Sequence, residues 1–139
     1  MTVFYGTQMT KIDSVAATPG VGFVHGNVRC FAETVTYATQ TTSDTIEVGL
    51  LPKGAVFLFG LITTSVSTGS ATLAIGITGT TGKYFTAAAY TTVDVPLLFG
   101  KTPAVNAAEA ADRTVFITIA AASLPGSGTL NVTLVYALD

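Results

Sequence analysis

From Thr129 to Ala137 the chain alternates strictly, with Leu130, Val132, Leu134 and Tyr136 at every second position and Thr129, Asn131, Thr133, Val135 and Ala137 between them. A helix buries a 3.6-residue period, whereas a strand sends successive side chains to opposite faces, so this stretch reads as a strand with its first set on a core. The pattern recurs twice. Leu73, Ile75 and Ile77 alternate with Thr72, Ala74, Gly76 and Thr78, and Val115, Ile117 and Ile119 alternate with Thr114, Phe116 and Thr118. Further strands are expected near 28–38, 44–51 and 91–98, with Pro52, Pro96 and Pro103 held to strand ends, edges or loops. Thr supplies 25 of the 139 residues, and β-branched side chains suit a pleated sheet better than a helix. Short β-prone segments between turn residues predict an all-β antiparallel sandwich of seven to eight strands over residues 26–139. One short helix is expected, near Asn106 to Asp112, where Asn106 and Glu109 resemble an N-cap pattern opening an Ala-rich turn.

Charge is what the chain lacks. Asp, Glu, Lys and Arg make up 10% of residues, against roughly 25% in an ordinary domain, while hydrophobic residues reach 49% and mean hydropathy is +0.59. Something must cover that surface. The longest uncharged apolar run, Gly54 to Ile62, is about half of the ~20 residues a spanning helix needs. The first residues lack the basic, apolar and small-residue parts of a secretory signal, which predicts no Sec export and argues against a membrane β-barrel. The six basic residues are scattered singly, so no nucleic-acid footprint is expected. Other protein is the remaining cover. On the 54–62 run, Val56, Leu58 and Ile62 would share one face and Ala55, Phe57, Phe59 and Leu61 the other, with Phe57, Phe59 and Leu61 as candidate partner contacts. Residues 1–25 show no sustained period and are read as an extended arm, whose Val3, Phe4, Tyr5, Met9, Ile12 and Phe23 are further candidate contacts, the alternative being an arm folded back on its own sandwich as an extra edge strand.

Chemistry finds little footing. His25 and Cys30, each the only residue of its type, lie five apart on an extended segment, where an odd separation sends side chains to opposite faces. A loop His and a small buried Cys are the expected reading. The stretch from Ile77 to Tyr84, ITGTTGKY, fails the spacing of a phosphate-binding loop and reads as a glycine-rich hairpin. The carboxylates Asp44 and Glu47 are near neighbours, yet no glycosidase or calcium spacing appears. No enzyme activity, cofactor or metal is therefore expected. The Asn131–Val132–Thr133 sequon falls within a strand and is expected to be unused.

The segments SDTIEVGLLPKGAVFLFGLITTS, SATLAIGITG, KYFTAAAY and DRTVFITIAAASLPGSGTLNVTLVYAL together resemble a family of small proteins encoded among tailed-phage head genes. The resemblance runs from about Ser43 to Leu138 and leaves the arm outside it. It implies a capsid decoration (cement) protein: a β-sandwich of jelly-roll type, often a trimer, made in the host cytoplasm and seated on the outer surface of the virion against the major capsid protein. A rival reading is a receptor- or carbohydrate-binding tip of a phage tail fibre, for which Tyr84, Phe85 and Tyr90 are the candidate aromatic cluster.

Overall fold

The computed structural model describes residues 27–138. Eight strands follow in order: β1 (Asn27–Thr36), β2 (Thr45–Leu51), β3 (Val56–Thr64), β4 (Thr72–Ile77), β5 (Thr80–Ala89), β6 (Leu97–Phe99), β7 (Arg113–Ala120) and β8 (Thr129–Leu138). They form two four-stranded sheets. Sheet A has the order β1-β8-β3-β6 and sheet B the order β2-β7-β4-β5, with every pair antiparallel. The chain changes sheet at each connection except the β4–β5 hairpin, where Ile77 pairs with Thr80 across Thr78 and Gly79. Gly79 takes φ +82 there, a conformation that a Cβ disfavours. The glycine-rich stretch is thus a hairpin turn.

The core lies between the sheets and is built from the alternating residues. Leu130, Val132, Leu134 and Tyr136 of β8 meet Leu73, Ile75 and Ile77 of β4 and Val115, Ile117 and Ile119 of β7, all of them buried. Two buried hydroxyls close one end of it. Tyr37 Oη lies 2.7 Å from Thr64 Oγ1, which in turn donates to the Val66 carbonyl at 2.6 Å.

Three expectations need correcting. The Ala-rich stretch is not a helix. Residues 101–105 make a single turn, with the Val105 N–H donating to the Lys101 carbonyl at 2.9 Å, and Asn106 then turns left-handed at φ 61. Beyond it the chain runs alongside the start of β3: Asn106 N–H donates to Phe57 O, Glu109 N–H to Ala55 O and Gly54 N–H to Glu109 O. Those tertiary bonds outweigh an Ala-rich helix propensity of a few tenths of a kcal/mol per residue. Secondly, only Leu97 and Leu98 of the 91–98 stretch are strand, as the start of β6. Asp94 adopts φ 57 with its N–H on the Thr64 carbonyl at 2.9 Å, and Pro96 has no N–H to offer a ladder.

The third correction concerns the two-faced run. The register of β3 against β8 slips by one residue between Phe57, which faces Tyr136, and Phe59, which faces Val135. A bulge of this kind reverses which parity points inward. Phe57 is consequently fully buried between the sheets, 4.6 Å from the Tyr84 ring, and cannot meet a partner. Phe59 and Leu61 lie on the opposite, outer face of sheet A.

Candidate functional site

Antiparallel partners share a face, so the register defines what sheet A presents to the outside. One row runs Cys30, Val135, Phe59; the next runs Ala32, Thr133, Leu61, Leu98; a third runs Thr34, Asn131, Thr63. None of these side chains is charged. Phe59 is 36% exposed and Leu98 63%, and Val28, 67% exposed, adds to the same face from β1. Cys30 is exposed here as well, contrary to the buried position expected of it. The outer face of sheet B is mixed: Thr45, Thr118, Thr114 and the carboxylate of Glu47 share it with Phe116 and the exposed Leu50. The expected contacts therefore divide. Phe59 and Leu61 fall together on the uncharged face, Phe57 is in the core, and Val3, Phe4, Tyr5, Met9, Ile12, Phe23 and His25 lie outside the described residues.

The apolar surface continues around the edge of the sandwich. β6 ends sheet A and β5 ends sheet B on the same side, and between them opens a groove of about 610 Å³ lined by Leu58, Phe59, Phe85, Leu97, Leu98 and Val105 among others. Its floor is aromatic. Phe99 packs 5.5 Å from Phe85 and 6.4 Å from Phe57, over Gly60, where a Cβ would come within 2.1 Å of the Phe99 ring. Only glycine leaves room for that ring. Tyr84 and Tyr90 are buried and Phe85 is half-buried, so the aromatic cluster a glycan-binding tip would need is not displayed.

Beside the groove, a buried charge cluster holds the wall in place. Glu109 is enclosed, yet it receives Lys83 Nζ on both oxygens at 2.6 and 2.7 Å and the Tyr84 hydroxyl at 2.6 Å, with Arg113 Nε 3.6 Å away. Burial raises the Tyr84 pKa well above its ordinary value; the adjoining Glu109 carboxylate adds to that rise and Arg113 opposes it. Lys101 Nζ donates to the Gly82 carbonyl at 3.0 Å, tying the segment after β6 to β5. The Lys53 amide, in the turn before β3, donates to Asp112 Oδ1 at 2.8 Å. Sequence reasoning missed this cluster. Glu109 within AAEAADR, four residues before Arg113, was its one visible trace. Among the described residues no group of three or more His, Cys, Asp or Glu side chains is placed to hold a metal ion.

The sandwich and its apolar face can be set beside solved structures. A chain of the Cyanophage Pam1 capsid asymmetric unit superposes with a TM-score of 0.70 at 25% identity, covering 88% of this chain and 92% of that one. Its fold is one that phage capsids use. A chain from the capsid of Ralstonia phage GP4 gives 0.61 at 21% identity over 84% and 86% of the two chains. One from the acidic stable capsid structure of Helicobacter pylori bacteriophage KHP30 gives 0.63 at 13% identity over 83% and 90%, and these two likenesses concern the fold alone. No family model and no curated protein matches the chain.

Proposed function

We propose that this protein is a structural component of a tailed-phage virion, a cement protein that binds the major capsid protein on the outer surface of the shell and stabilises it. The observation that carries the reading is the uncharged outer face of sheet A on a sandwich that matches a phage capsid chain over nearly the whole of both chains. That match relates two chains of similar length, so it is not a likeness to one domain of a much larger shell subunit. A short chain with one apolar, uncharged face is suited to bridging larger subunits, with affinity from buried surface and specificity from shape. The strand order 1-8-3-6 facing 2-7-4-5 supports a jelly roll, in which the chain winds as two nested Greek keys. A homo-oligomer, with a trimer preferred, is supported by the exposed Val28, Phe59, Leu97 and Leu98, since monomers rarely expose large contiguous apolar patches.

The test uses undecorated heads and purified protein. Wild type should co-sediment with heads and raise the temperature at which they release DNA. The Val28→Glu/Leu61→Glu variant should remain folded and fail to bind, because it places two charges on the contact face outside the groove between β5 and β6. If that variant binds heads as well as wild type does, the face is not the contact. If wild type binds glycans and not heads, the tail-tip reading takes its place.

A further inference from the structure

We infer that the groove between β5 and β6 receives the N-terminal segment, residues 1–26, of a second copy of this chain. The inference rests on the homo-oligomeric reading above and names what holds the copies together. The groove falls in the range of roughly 300–1,000 Å³ typical of ligand clefts, which orient small ligands with a few convergent polar groups. This groove has no such set. The Tyr84 hydroxyl on its lining is committed to Glu109 and the Lys101 ammonium is bonded to the Gly82 carbonyl. Apart from the exposed Thr86 hydroxyl, what remains is apolar, and it is flanked by two edge strands whose outward N–H and C=O groups have no strand beside them among the described residues. Such a site suits an extended peptide that adds main-chain hydrogen bonds and inserts apolar anchors.

The segment outside the described residues has that character. Residues 1–26 contain one lysine, Lys11, and one aspartate, Asp13, with Val3, Phe4, Tyr5, Met9 and Ile12 spaced along the first half. Keeping the shell-facing side of sheet A clear favours another copy as the donor. The segment joins the sandwich at Asn27, on the β1 edge of sheet A, while the groove lies at the opposite, β6 edge. To reach its own groove it must pass β8, β3 and β6, three spacings of ~4.8 Å, over the face proposed to meet the shell. When copies pack side by side, the β1 edge of one meets the β6 edge of the next, and the root of each segment is then about one strand spacing from its neighbour's groove. That head-to-tail contact is heterologous, the kind that closes into a ring such as a trimer. Twenty-six residues extend up to ~85 Å, ample for the exchange.

Two variants test this by complementation. Deleting residues 2–20 removes the donor and keeps the groove, whereas Leu97→Glu/Leu98→Glu keeps the donor and spoils the groove. By light scattering the full chain should be an oligomer, each variant alone a monomer, and the equimolar mixture a heterodimer with one intact donor–groove pair. A full chain that is monomeric, a variant that assembles as the full chain does, or a mixture that stays monomeric overturns the inference. A synthetic peptide of residues 2–12 provides a second readout that does not depend on how the glutamates affect folding. In excess it should dissociate the full-chain oligomer, and it should bind the deletion variant at least about tenfold more tightly than the leucine variant. An unaffected oligomer overturns the inference. Head binding is scored separately: assembly that follows the complementation pattern without head binding supports the exchange while sinking the cement reading.

Discussion

Glu109 is a carboxylate with 4% of its side chain exposed, and its removal should be felt throughout the groove wall. Consider Glu109→Ala. Hydrogen bonds to charged groups contribute about 1.5–3 kcal/mol each, and a buried hydroxyl left without a partner costs about 1–3 kcal/mol. Tyr84 is fully buried, so its hydroxyl has no recourse to water. Lys83 and Arg113 are 24% and 40% exposed in their side chains and can turn outward, so their share is discounted for solvent screening. The net is about 3 kcal/mol, a large part of the 5–15 kcal/mol by which domains are stable. Glu109→Gln keeps the shape and an acceptor for Tyr84 and should lose about half as much. Urea unfolding with linear extrapolation measures both. Tyr84→Phe provides the internal control: with the hydroxyl gone, Glu109→Ala should cost at least about 1 kcal/mol less than it does in wild type. If Glu109→Ala costs under about 1 kcal/mol, or if the two substitutions are additive, the carboxylate does not hold the wall.

Other measurements check the remaining assignments. Phe57→Ala should destabilise by about 3–5 kcal/mol and Phe59→Ala by under about 1 kcal/mol, since the first opens a core cavity and the second trims a surface; equal losses would mean that the bulge does not reverse the strand's parity. Gly60→Ala, whose new Cβ would meet the Phe99 ring, should cost about 1–3 kcal/mol, and pairing it with Phe99→Leu should recover part of that loss in thermal unfolding. Tyr37, Tyr84 and Tyr90 all have pKa values raised above 10.0 by burial. A group with a raised folded pKa gives stability that is complete below the unfolded value and lost as pH climbs past it, so the phenols' contribution should be level below pH 10 and fall above it. Ultraviolet titration showing these three phenols ionised at pH 10 in the folded protein would contradict their burial.

Much of the sandwich was legible because one side chain in two reports directly on a half-buried strand. β4, β7 and β8 appeared with their core residues correct, since nothing interrupts their alternation. β3 was located but misread. A bulge adds a residue without altering composition, and no local signal in VFLFGLI separates Phe57, inside, from Phe59, outside. The Asn106 region failed for a related reason: residues distant in sequence, Gly54 to Phe57, supply the backbone partners that decide its conformation. Cys30 was expected inside because cysteine is commonly buried, but it faces outward from an edge strand. Of the candidate contacts, Phe59 and Leu61 were legible from apolar content alone, whereas Leu97 and Leu98 needed the sheet order. Their strand has only three residues, too few to show a period, and only its pairing with β3 sets Leu98 beside Leu61 on the outer face and Leu97 at the mouth of the groove.

The position of β8 has a consequence for biosynthesis. It lies between β1 and β3 and pairs with β1 along all ten residues, from Asn27 opposite Leu138 to Thr36 opposite Thr129. Sheet A therefore lacks its central strand until the last of the eight is made. At roughly 5–20 residues per second, β1 leaves the ribosome on the order of 5–20 s before its partner does. Through that interval Val28 and Phe31 are without their native neighbours while other nascent chains are close by. Pairings this distant along the chain must also overcome loop-closure entropy before they return any stability, which places folding among the slow, millisecond-to-second β-proteins. A chain interrupted before residue 129 would leave β1 without its strand partner and β3 with only the three-residue β6, and its apolar strands would be a substrate for chaperones or for aggregation.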